Sequence, residues 1–179
     1  MEFGYKILLL TLQPRVFKNE LSANIGLAER SRNGIIDILH TLLANESVLS
    51  FKTRNYHWNI IGSHFSELYK FFEEQYETLD EIMDQVAQRS RSMGGKSIAT
   101  MTEFLVRTNL REHAGYYPDE RQMISDLLAD HETLIQDLRQ DLDTCMSVYR
   151  DAGTNSFLVG IMEEHEKMAW MLRAYLSEK

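Results

Sequence analysis

Apolar residues recur every three or four positions through four long stretches of the chain, the period of an amphipathic helix. The first stretch covers residues 27–57 and carries Ile35, Leu39, Leu42, Leu43 and Leu49, with Asn59 and Gly62 as its stop. The second starts at Ser63, read as an N-cap, has Glu67 early, and runs to Met93 through Leu68, Phe72, Leu79, Met83 and Val86. Gly94-Gly95 ends it. Residues 96–117 are less regular, and 101–106 suit one short helix. Pro118-Asp119-Glu120 opens a third stretch that reaches Tyr149 through Ile124, Leu127, Leu134, Leu138 and Leu142. After a turn at 151–154, a fourth covers 155–176 with Phe157, Leu158, Ile161, Met168, Met171 and Leu172. No strand-like alternation interrupts them. The pattern predicts an all-α, four-helix bundle. The long middle connection holds a short extra helix and suits a crossover better than a hairpin.

Composition agrees with this reading. The 179 residues include only two Pro and nine Gly, so helix breakers are scarce. The length suits one domain, placed at 25–179, preceded by an extension at 1–24. Nineteen basic side chains face 27 acidic ones, a net charge of −8 that excludes a generally basic, DNA-coating surface. The single cysteine, Cys145, rules out a disulfide or a CxxC motif within one chain and reads as small core filler. The apolar run at 7–10 is far too short to span a membrane, and residues 1–15 lack a basic n-region and a cleavage site. The expected setting is cytoplasmic, with no membrane partner.

Chemistry concentrates in the second helix. Tyr69, Glu73, Glu77, Asp80, Asp84 and Gln88 fall at spacings of three or four and form one polar stripe. Such a stripe is ordinarily a solvated face. Two features set this one apart. It has almost no Lys to balance its acids, and it follows Tyr56-His57-Trp58, an imidazole between two large aromatics. A di-iron centre inside one bundle needs Glu-x-x-His pairs, and no histidine here has Glu three residues before it; only His40, with Asp37, comes near. Glu73 and Asp84 share a face but stand about 16 Å apart along the helix. Metal–oxygen bonds of about 2 Å cannot bridge that gap. An antiparallel partner related by a two-fold axis would bring Glu73 of one chain to Asp84 of the other.

The segment Lys52-Thr53-Arg54-Asn55-Tyr56-His57-Trp58-Asn59, with Gly62 and the run Phe65-Ser66-Glu67-Leu68-Tyr69-Lys70-Phe71-Phe72-Glu73, resembles the Dps family of dodecameric mini-ferritins. So does the tail His165-Glu166-Lys167-Met168-Ala169-Trp170-Met171-Leu172-Arg173. The likeness spans residues 24–176. It implies a ferritin-like subunit in a twelve-chain shell. It further implies iron as the metal, with zinc as an alternative. The expected activity is that of a ferroxidase, oxidising Fe(II) with hydrogen peroxide or oxygen at a two-fold interface and storing ferric mineral, which limits hydroxyl-radical damage. By position in the family motif, His57 and Glu73 are ligands from one subunit and Asp84 is the partner's aspartate. Tyr69 stands where the family has a second histidine, and Gln88 where it has a glutamate. A protonated phenol and an uncharged amide are poorer Fe(II) ligands. The expectation is therefore a weakened centre, unless Tyr69 ligates Fe(III) or supplies an electron.

Other residues carry weaker signals. His64 is a peripheral metal candidate, and Glu77 and Asp80 are supporting groups or solvated acids. His131 and His165 read as surface or interhelical hydrogen-bonding residues. Trp58 is either a sink for oxidising equivalents or a packed aromatic. The resemblance places an iron-entry funnel near the last helix, where Asp151 remains acidic, Ser156 does not, and Asp143 is a further contributor. Residues 1–24 balance Lys6, Arg15 and Lys18 against Glu2 and Glu20, too little charge for strong phosphate binding, so DNA binding is expected to be weak or absent. The alternatives are a non-enzymatic metal-binding shell and a helical nucleoid-associated protein.

Overall fold

The computed structural model describes residues 23–177. The expectations for the extension, including its charge balance and the apolar run at 7–10, lie almost wholly outside the described residues. Five helices follow in order: α1 Glu29–Asn59, α2 Phe65–Ser92, α3 Met101–Arg107, α4 Glu120–Thr144 and α5 Ala152–Leu176. α1 packs mainly on α2, and α4 on α5. The five residues between α1 and α2 allow only an antiparallel return, while the segment carrying α3 crosses the bundle and lays α3 against α1.

The predicted periodicities fill the core. Leu39, Leu49, Phe72, Leu79, Leu127, Leu134, Leu138, Leu158 and Leu172 are fully buried. Truncating any of these leucines to Ala should cost about 2–5 kcal/mol. Cys145 is buried among them, as expected of core filler, and burial pushes its thiol up to about 11. Several helix ends differ from the sequence reading. His64, not Ser63, precedes α2, and the Ser63 hydroxyl lies 3.4 Å from His64 Nδ1 instead of capping a backbone N–H. Pro118 lies just outside α4, where Asp119 is the cap and accepts from the Gln122 N–H at 2.9 Å. Thr100 and Glu103 form a reciprocal capping box that starts α3.

The end of α4 widens into one π-type turn over Cys145–Tyr149. Arg150 then takes a left-handed conformation, φ 55°, and reverses the chain. The Tyr149 ring lies directly over Gly34 of α1, where even a Cβ would collide with its hydroxyl. α5 begins earlier than predicted because Asp151 caps it, accepting from Gly153 N–H at 3.0 Å. The Asp151 carboxylate also pairs with Arg89 at 3.3 Å and accepts from Thr154. Within its own chain it is buried, whereas Asp143 is exposed.

One layer of the core is polar. Glu46 of α1, His131 of α4 and His165 of α5 have no solvent exposure. The His165 Nε2–H donates to Glu46 Oε1 at 2.8 Å, and the two histidines meet through their Nδ1 atoms at 2.9 Å. The interhelical half of the expectation for His131 and His165 holds, and the surface half does not. Burial drives the His131 imidazole far below its ordinary pKa, and the neighbouring His165 adds to the effect.

Candidate metal centre

His57 sits in the last turn of α1, and the short link to α2 folds Tyr69 back onto it. The two rings stack with centroids 3.8 Å apart and a 36° tilt. His57 is buried, and its Nδ1 contacts the Tyr69 backbone carbonyl at 2.8 Å. A carbonyl can only accept, so Nδ1 carries the hydrogen. In the neutral ring this leaves the lone pair on Nε2, the tautomer a metal ligand needs.

Tyr76 closes the other side of His57, edge-on at 5.3 Å. Its hydroxyl lies 3.5 Å from Glu73 Oε1. Burial and the Glu73 and Glu77 carboxylates raise the Tyr76 pKa. Arg54 of α1 lies over the Tyr76 ring at 4.4 Å and donates to Asp80 at 2.6 Å. Asp80 also accepts from the Ser50 hydroxyl at 2.7 Å. The counter-charge that α2 lacks is thus supplied across the helix pair by α1. Neither Tyr76 nor Arg54 stood out in the sequence. The available signals were their spacings: Tyr76 one turn past Glu73, and Arg54 one turn before His57.

His57, Tyr69, Glu73 and Tyr76 therefore gather at one end of the α1–α2 pair. Asp84 and Gln88 sit about three turns farther along α2. Both are exposed, and the Gln88 amide N–H donates to Asp84 Oδ2 at 2.6 Å. In this geometry Gln88 is the partner of Asp84. A glutamate at the same position would place a second negative charge one turn from the first. Among the described residues, no three His, Cys, Asp or Glu side chains of one chain form a metal cage.

The remaining candidates are placed as follows. His64 pairs with Glu120 at 2.9 Å, which links the start of α2 to α4. Glu77 is exposed. Trp58 is 69% exposed and is not a packed aromatic within this chain. With Phe51, Met101 and Leu105 it borders an open apolar groove of about 430 Å³ between α1 and α3. No helix among the described residues is long and apolar enough to cross a membrane.

Comparison with known proteins adds the lineage. The family model for the ferritin-like domain matches residues 36–179. A low-temperature-induced protein of Nostoc is 44% identical over 153 residues, 86% of each chain. DNA protection during starvation protein 2 of Bacillus anthracis is 35% identical, over 80% of this chain and 97% of its own. Among solved structures, the Dps protein of Vibrio cholerae, described as a member of the superfamily of ferritin-like diiron-carboxylate proteins, superposes with a TM-score of 0.82. It is 31% identical, and the match covers 89% of this chain and 99% of that one.

Proposed function

This chain belongs to the Dps branch of the ferritin-like family, the iron-storing mini-ferritins, and from that premise we propose that it oxidises Fe(II) at a site shared between two subunits. His57 and Glu73 of one subunit and Asp84 of its partner hold the iron. Tyr69 and Gln88 border it as weaker or indirect ligands. The observation that carries this reading is the His57 tautomer: Nδ1–H is committed to the Tyr69 carbonyl, which leaves Nε2 free to bind metal.

The chemistry follows from the residues. Two Fe(II) ions each give one electron to a single hydrogen peroxide molecule. Its O–O bond breaks, and both oxygens end as hydroxide or water, so no hydroxyl radical is released. Glu73 and Asp84 compensate the rising charge on iron. Burial of His57 limits solvent around the ion. With a phenol and an amide in place of two stronger ligands, the site holds Fe(II) less tightly than a full set of histidines and carboxylates would. The exposed apolar groove at Trp58 and Leu105 is covered by a second copy of the chain, as expected of a homo-oligomer, here a twelve-chain shell in the cytoplasm. DNA binding is weak or absent, and zinc competes for the same ligands.

The test is direct. Assembled protein is loaded anaerobically with Fe(II) and mixed with peroxide, and the ferric absorbance in the near ultraviolet is followed. The reading expects a rate well above the protein-free background and a loss of at least about tenfold in His57→Ala. A rate equal to background would make the protein a passive shell.

A further inference from the structure

The bundle interior holds polar atoms that the fold leaves unsatisfied. Glu46 Oε2, His131 Nε2 and both amide atoms of Gln75 are buried without a hydrogen-bond partner. These three residues come from three different helices, and His165 links two of them: it donates to Glu46 Oε1 at 2.8 Å and faces His131 Nδ1 at 2.9 Å. Gln75 of α2 lies near the same level. The pairs Arg54–Asp80 and His57–Tyr69 on one side, and Lys52–Asp130 and Tyr56–Asp126 on the other, place Gln75 and His131 within about one helical turn along the axis.

Two Nδ1 atoms at this separation share one proton, so one of them keeps a lone pair directed at the other ring. A metal ion with nitrogen ligands can occupy the proton's place. A tetrahedral ion with bonds of about 2.0–2.1 Å holds two nitrogens about 3.3 Å apart, so the rings need to part by only a few tenths of an ångström. A histidine that binds metal ordinarily donates its other N–H to a carboxylate, and His165 already does so, to Glu46. The same shift changes the tautomer of His131. With Nδ1 on the metal, the His131 proton moves to Nε2, a buried atom that has no partner within the chain. No net proton is released.

We propose that the core of each subunit holds one divalent transition-metal ion between Nδ1 of His131 and Nδ1 of His165, with Glu46 orienting His165 and offsetting the ion's charge. This site is separate from the one shared between subunits, and it lies wholly within one chain. It has two imidazole ligands, fewer than the three-ligand cages absent among the described residues, so water completes the shell. The borderline ions, zinc and Fe(II), suit imidazole and carboxylate best.

Cobalt(II) is the probe, because its visible absorption reports four-coordinate geometry. The titration uses the assembled Glu73→Gln/Asp84→Asn variant, from which the inter-subunit ligands have been removed. One cobalt per chain with a tetrahedral spectrum is expected. His131→Phe should abolish the signal, and Glu46→Gln should weaken binding by about tenfold or more. No cobalt bound, or an unchanged spectrum in His131→Phe, overturns the proposal. Should a core variant fail to fold, zinc-soaked crystals of the unaltered protein decide the matter. An anomalous peak between the two Nδ1 atoms supports the site, and its absence there overturns it. The iron-oxidation rate of Glu73→Gln/Asp84→Asn tests the inter-subunit reading separately, so the two ideas can fail independently.

Discussion

The end of α1 and the middle of the bundle place histidines beside carboxylates in opposite ways. At His57 the imidazole is fixed by a backbone carbonyl, and its acidic neighbours lie along an open helix face. Within one chain that set is incomplete, because Asp84 is too far along α2 to reach it. At His131 and His165 the contacting groups all come from one chain and are sealed from solvent. The first arrangement favours exchange, in which an ion enters, reacts and leaves. The second favours retention, because a buried carboxylate without an adjacent positive charge is costly. The difference is one of topology. A site on a helix face can be completed by another subunit, and a site among four helices cannot.

The largest effect that would separate the two regions is on stability. His165→Leu leaves Glu46 buried and unpaired, and it should cost about 3–5 kcal/mol, read by guanidinium unfolding at fixed chain concentration. Iron oxidation per folded chain should stay unchanged. If stability is unaltered, the polar layer does not constrain the core as argued.

Next comes sharing. His57→Ala and Asp84→Ala should each lower oxidation at least about tenfold. Shells assembled from an equal mixture of the two should recover about a quarter of the original activity. Half of the two-fold contacts are then mixed, and each mixed contact rebuilds one intact site of two. A mixture no better than its parents would place the ligands within one chain.

A smaller change sharpens the role of the substitutions. Tyr69→His combined with Gln88→Glu should raise Fe(II) affinity about three- to tenfold, measured by anaerobic calorimetry. An unchanged affinity would show that these positions do not limit the site.

The smallest effect lies outside both regions. Burial, with Asp137 nearby, raises the Asp141 carboxyl from 3.8 to about 6. Its contribution to stability is therefore present below pH 4 and is lost as pH rises through 6. Asp141→Asn should raise the thermal midpoint at pH 8 and leave it nearly unchanged at pH 4. Equal midpoints at both values would mean the unfolded chain holds that carboxyl in the same state.

The four long helices were legible because each repeats its apolar residues over six or more turns. The α2 stripe was legible for the same reason, since all its members lie on one helix. The polar layer was not. Glu46 and His165 are 119 residues apart and His131 and His165 are 34 apart. Each is flanked in sequence by polar or charged residues, and the apolar residues that signal its burial lie one turn away on the same helix face. Arg54 was missed because charge was balanced along α2 alone, whereas its ion pair crosses from α1. The Ser63 cap failed because a serine hydroxyl can turn to a neighbouring side chain as easily as to a backbone N–H.

The contact of Tyr149 with Gly34 has a consequence for how this chain tolerates change. Alanine is usually the mildest of replacements on a helix, yet at position 34 it would act as a wedge. The Tyr149 ring would have to move aside, and it belongs to the widened turn that leads through Arg150 to the Asp151 cap of α5, more than a hundred residues downstream. Genetic variation at residue 34 should thus show its effects at the opposite end of the subunit's wiring.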